Sequence, residues 1–251
     1  MLANKLNLHE ATSELIRVGP KCDGGYVLPR GVLAQSGTLV SLGVGFDLRF
    51  EHDYVKKTGG QVCVIDRNID ITNYITSELK GIRTFYRAFK NFIYLKTHRQ
   101  IVTINKYISN QQNEEDFSFL EFLEMMQKTR NSILKIDIER YEYTLFTKEN
   151  INRMGDLQIN CIIIEFHGLK DYHSRLCEII EDFKKINLYL VHVHGNNYTP
   201  FYNDLGMYNC SEFTFVNEKF CLPTKIINKQ LPIHLLDYPA NKNRVDIKYA
   251  L

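Results

Sequence analysis

Two apolar runs end in residues suited to holding a cofactor. Leu39–Asp47 reads LVSLGVGFD and carries Gly43 and Gly45; Val62–Ile65 reads VCVI and stops at Asp66, about twenty residues after the glycines. Glycine lets a backbone approach a ligand closely, because no Cβ stands in the way. An acid closing the second run is placed to accept hydrogen bonds from both hydroxyls of a ribose. A dinucleotide needs a third glycine, which brings helix and strand together around a pyrophosphate. That position is Leu48. A nucleoside cofactor without a pyrophosphate therefore fits better, and S-adenosylmethionine (SAM) fits better than NAD.

Three further polar pairs are spaced by two: Asp137/Glu139, Glu165/His167 and His192/His194. On a continuing strand, residues two apart point to the same face. Such groups suit either of two chemistries. Some of Asp137, Glu139, Glu165 and His167 could bind a divalent metal through oxygen and imidazole. Alternatively, one His or Asp could take the proton of a substrate hydroxyl while the others bind substrate. For the base, His192 or His194 ranks first, followed by His167. All six groups are not expected to share one ion, since the strand bearing His192 and His194 can lie at a sheet edge.

These residues need a sheet to position them. Buried strands are predicted at 38–42, 61–66, Ile82–Tyr86, 132–137, Asn160–Glu165, Leu188–His194 and Glu212–Val216, with Asn160–Glu165 as the most central. Helices are predicted at 47–58, with Asp47 as N-cap, and at 71–80, 117–128, about 140–147 and Leu176–Ile186. Alternating strands and helices imply α/β architecture, with a mostly parallel sheet covered on both faces. Residues 4–17 show a loose helical spacing. Asp23-Gly24-Gly25 marks a tight turn whose apolar flanks predict a short hairpin ahead of the sheet. One domain is expected over 1–251, with 1–37 an N-terminal extension and 223–251 an irregular C-terminal wrap.

Composition narrows the function further. The formal charge is +2 and no basic block occurs, so the electrostatic footprint of a nucleic-acid binder is missing. Apolar runs fall short of the ~18 residues that a membrane span needs. The first residues lack the apolar stretch of a signal peptide. The six cysteines are scattered without a CxxC pair, as expected for free thiols in a reducing cytoplasm. A homo-oligomer is compatible with the sequence.

The stretch from Arg17-Val18 through Asp23-Gly24-Gly25-Tyr26-Val27-Leu28, then Ser41-Leu42-Gly43-Val44-Gly45, then Leu134-Lys135-Ile136-Asp137-Ile138-Glu139, resembles the FkbM-type SAM-dependent methyltransferases. The resemblance spans roughly residues 15–220, and LKIDIE is its most specific piece. It implies a Rossmann-like class I methyltransferase fold. It also implies that Asp23, Tyr26, Ser41, Gly43, Gly45, Asp47, Asp66 and Asp137 surround the cofactor. Arg140 stands where the family usually has glycine, which reduces backbone freedom there. Val191–Asn197 looks like segments of a bacterial surface-polysaccharide subset. Those relatives imply O-methylation of a nucleotide-linked or glycan-bound sugar, with Glu139, Glu165, His167, Asn196 and Asn197 facing substrate.

Two other readings keep some of these features. One is a SAM-dependent methyltransferase of a phosphorylated or amide-bearing small molecule. The other is a non-enzymatic Rossmann-like scaffold. An RNA methyltransferase fits the charge distribution less well.

Overall fold

The computed structural model describes residues 1–45, 47–69, 89–90, 93–94, 97–111 and 116–251. Its centre is a seven-stranded sheet. In chain order the strands are β1 Thr38–Leu42, β2 Gln61–Ile65, β3 Ile101–Ile104, β4 Ser132–Ile136, β5 Ile159–His167, β6 Leu188–Gly195 and β7 Cys210–Asn217. Across the sheet they run β6-β7-β5-β4-β1-β2-β3. β7 is antiparallel to both neighbours, and the remaining pairs are parallel. The order reverses between β1 and β4, which opens a crevice beyond their C-terminal ends.

Strand alternation builds a core on each face. Val40, Leu134, Ile162 and Phe213 point to one side, where Phe122, Phe146 and Phe183 cover them. Leu39, Ile133, Ile163 and Val216 point to the other, beneath Val32, Phe50 and Tyr54. The covering helices are α1 Arg30–Gln35, α2 Arg49–Thr58, α3 Phe119–Gln127, α4 Glu142–Leu145, α5 Lys148–Met154 and α6 Leu169–Lys185. Ser118 starts α3 with a capping box, accepting from the Glu121 N–H while the Glu121 carboxylate accepts from the Ser118 N–H.

Several local expectations need correction. Residues 4–17 are not a helix: a 3-10 turn at Ala3–Lys5 leads into strands Leu8–Ala11 and Leu15–Val18. Leu8–Ala11 pairs with Cys221–Ile227, so part of the predicted C-terminal wrap is regular sheet. A pairing across two hundred residues leaves no trace in local periodicity. Leu15–Val18 pairs with Tyr26–Pro29, which is the predicted hairpin. Asp47 is not the N-cap of α2. Leu48 is, and the Asp47 carboxylate instead accepts bonds from the Arg49 side chain and N–H. α6 begins at Leu169, earlier than predicted. β5 is interior but third from one edge, and β6 is the edge strand. The predicted helix at 71–80 and strand at Ile82–Tyr86 lie outside the described residues. Among the described residues no helix is long and apolar enough to cross a membrane.

Candidate active site

The crevice at the β1/β4 reversal is a cleft of about 980 Å³. At its β1 end, Gly43 follows the strand with φ 72° and donates its N–H to Ile65 O. A Cβ on Gly43 would sit 1.8 Å from Asp137 O, so only glycine allows the ends of β1 and β4 to lie this close. The Asp66 carboxylate draws the loop inward, accepting from Val44 N at 2.7 Å and Gly45 N at 2.6 Å. Asp23, Tyr26 and Asp47 also line the cleft.

Below this loop lies a buried polar chain. Ser41 Oγ donates to Glu51 Oε1 at 2.6 Å, and Lys135 Nζ stands 4.0 Å from the same oxygen. Lys135 donates to Gly43 O at 3.1 Å and lies 5.4 Å over the Tyr26 ring. Burial alone would lower the Lys135 pKa, but Glu51, Asp137 and Glu165 outweigh it and raise it. Burial raises the Glu51 carboxyl despite Lys135.

The opposite end gathers acids around one imidazole. His167 Nδ1 is 2.9 Å from Oε1 of the buried Glu142. Nε2 faces Glu139 at 3.5 Å, Asp137 at 3.9 Å and Glu165 at 4.0 Å. Glu165 accepts from Asn196 Nδ2 and Cys210 Sγ, both at 2.8 Å. Burial pushes Glu165 up to about 8, helped by repulsion from Asp137 and Glu212. Burial works against a charge on His167, yet the Glu142 hydrogen bond and the surrounding carboxylates raise it to about 9. Asp137 is also raised, first by burial, with Lys135 and His167 opposing. Ligand atoms of Asp137, Glu139 and His167 lie within 4.8 Å of one another, as do those of Glu165, His167 and Cys210. Either set is compact enough to chelate an ion.

Of the residues singled out in the sequence, the cleft brings together Asp23, Tyr26, Gly43, Gly45, Asp47, Asp66, Asp137, Glu139, Glu165, His167 and Asn196. Four others lie outside its lining. Ser41 is buried against Glu51. His192 and His194 lie buried beneath the C-terminal segment, 3.1 Å from Asp237 and 3.4 Å from Asp246 respectively. The Asn197 amide donates to Asn241 O and Arg244 O of that segment. An alternating His-x-His signals a shared face, but not which segment covers that face.

Residues not anticipated also line the cleft, among them Lys135, Cys210, Tyr141, Tyr198 and Lys106. Lys135 had a visible signal, because it alternates with Asp137 along β4. Cys210 had none, because it meets His167 only through the antiparallel register of β5 and β7.

The strand order, the glycine turn after β1 and the acid after β2 are those of a Rossmann-like methyltransferase fold. Residues 26–199 match the methyltransferase FkbM domain, and the chain belongs to that family of SAM-dependent methyltransferases. No curated protein matches the chain. Solved structures it resembles include three at low identity. The fibrillarin pre-rRNA processing protein of Methanococcus jannaschii is 12% identical over 74% of this chain and 68% of that one, with a TM-score of 0.41. TYW2 of M. jannaschii, solved with AdoMet, is 11% identical over 75% and 74%, at 0.37. An O-methyltransferase family protein from Burkholderia thailandensis is 9% identical over 74% and 52%, at 0.42.

Proposed function

We propose that the chain transfers a methyl group from SAM to a hydroxyl of a sugar, nucleotide-linked or glycan-bound, during cytoplasmic assembly of a bacterial capsule or other surface polysaccharide. The observation that carries the reading is the 2.9 Å contact between His167 Nδ1 and the buried Glu142. It orients the imidazole with Nε2 toward the cleft, at the end opposite Asp66.

Gly43, Gly45, Asp66, Asp23 and Asp137 are the residues that would hold SAM, and a Cβ at Gly45 would meet nothing within 4 Å, so the glycine loop leaves open space for a ligand. Bound SAM supplies a methyl group on a cationic sulfonium. The acidic lining, with Asp23, Asp47, Asp66 and Asp137, favours a cation there. A sugar hydroxyl is a weak nucleophile, so transfer needs proton removal and in-line placement. His167 in its neutral form, whose share grows as pH rises toward about 9, takes the proton at Nε2, and Glu142 stabilises the imidazolium that forms. Asn196, Glu165 and Glu139 offer hydrogen-bonding groups to acceptor hydroxyls. The base thus moves from His192 or His194, which lie away from the cleft, to His167.

A second reading rests on the compact ligand set of Asp137, Glu139 and His167, with Glu165 adjacent. A divalent ion held there would polarise the acceptor hydroxyl in place of the free imidazole.

Purified protein with SAM should methylate members of a nucleotide-sugar panel. His167→Ala should lose transfer but keep SAM affinity. Transfer only to phosphorylated or amide-bearing small molecules would move the acceptor to that class. SAM binding that is absent from calorimetry would leave a scaffold. Loss of activity on chelation, restored by Mg²⁺ or Mn²⁺, would favour the metal over the base.

A further inference from the structure

Lys135 is buried, with its side chain 4% exposed, yet the residue lines the cleft, and its ammonium lies beside two other lining residues, Gly43 and Tyr26. A lysine ammonium has three N–H donors. Among the described residues Lys135 spends one, on Gly43 O. Glu51 Oε1 is at 4.0 Å, beyond hydrogen-bond reach, and is already bonded to Ser41. The Tyr26 ring offers Lys135 a π face, but no lone pair at bonding distance. Unspent donors on a buried ammonium are costly unless a ligand completes them.

The surroundings identify the ligand group. Asp23, Asp47, Asp66 and Asp137 make the cleft hospitable to cations and hostile to anions. SAM carries both kinds of charge: a sulfonium, and a carboxylate on its methionine end. Lys106 stands beside Tyr107 and Ile108, past the end of β3, which is two strands from β1 on the Asp66 side. Lys135 stands on β4 at the reversal point, among Gly43, Tyr26 and Asp137. Resting on the assignment of SAM as cofactor, we propose that Lys135 is the counter-ion of the cofactor's methionine carboxylate, and so sets the direction in which the cofactor lies. Glu51 and Ser41 hold the ammonium in place from below. The ribose end then falls to Asp66, and the methionine end to Lys135 and the Asp23–Tyr26 turn.

The test compares ligands that differ only in the carboxylate. Calorimetry with wild-type protein should give SAM an affinity about tenfold to a hundredfold above that of decarboxylated SAM, the range for a charged hydrogen bond. Lys135→Met should weaken SAM by the same factor and leave decarboxylated SAM nearly unchanged, so that the preference vanishes. Glu51→Gln combined with Lys135→Met removes the unpaired buried acid and should show the same lost preference if the single variant folds poorly. Equal affinities in the wild type would overturn the proposal without any variant. So would a preference that survives Lys135→Met or the double variant, or equal weakening of both ligands, which would mark a purely structural lysine. Wild-type protein that binds neither ligand would instead remove the cofactor assignment itself.

Discussion

His194 Nε2 stands 3.4 Å from Asp246 Oδ2, which joins the sheet's edge strand to the last residues of the chain. Glu212 approaches Nδ1 at 3.6 Å from the adjacent strand, and Asp237 adds its charge nearby. Burial opposes the imidazolium, but the Asp246 hydrogen bond and the Glu212 carboxylate outweigh it and raise His194 to about 10 from an ordinary 6.5.

A raised histidine stabilises the fold while it is protonated more fully than in the unfolded chain. That contribution is complete below pH 6.5 and disappears as pH rises through about 10. His194→Gln should therefore lower stability at neutral pH by about 3 kcal/mol, the cost of breaking a buried pair. The gap between variant and wild type should close between pH 7 and pH 10. Urea unfolding at stepped pH measures it, and a gap independent of pH would refute the assignment.

The Asn197 side chain accepts from Asn241 N at 2.7 Å and donates to Asn241 O and Arg244 O. Arg244 returns bonds to the carbonyls of Asn197 and Tyr198. Asn197→Ala should loosen this segment and speed tryptic cleavage after Lys242 or Arg244. SAM affinity should change by no more than about twofold, since the site is separate from the glycine loop. Unchanged proteolysis would show that the clamp is held by other contacts.

Gly43 and Gly45 both have positive φ, but their surroundings differ. A Cβ at Gly43 meets Asp137 O, whereas one at Gly45 meets nothing within 4 Å. Gly43→Ala should abolish measurable SAM binding. Gly45→Ala should cost only backbone strain, about 1–2 kcal/mol or roughly tenfold in affinity. Similar losses from both variants would contradict the close β1/β4 approach.

Arg140 adopts φ 81° in the turn after β4, next to Glu139 at φ 53°. Side chains are disfavoured there by about 1–2 kcal/mol per residue. Arg140→Gly should thus raise the denaturation midpoint, with a gain of about 1 kcal/mol. A lower midpoint would mean that the guanidinium contributes more than the turn loses.

Much of the site was legible because its parts are local. Gly43, Asp66 and Asp137 each follow a short apolar run, and apolar runs with turn signals locate strand ends. The choice between the candidate bases was not legible, for the opposite reason. His192 and His167 are both one of a polar pair spaced by two, and local chemistry does not distinguish them. Asp237 covers one and Glu142 orients the other, and both partners are settled by how distant segments pack.

The sequence by itself determined the fold class and the family, since strand periodicity, glycine placement and strand-terminal acids are properties of neighbouring residues. Tertiary structure alone decided that Leu8–Ala11 pairs with Cys221–Ile227, that Cys210 sits beside His167, and that Lys135 turns its ammonium under the glycine loop. Those relationships depend on sheet order, antiparallel register and burial. Each arises from contacts between residues far apart in the chain, where pattern and spacing carry no information.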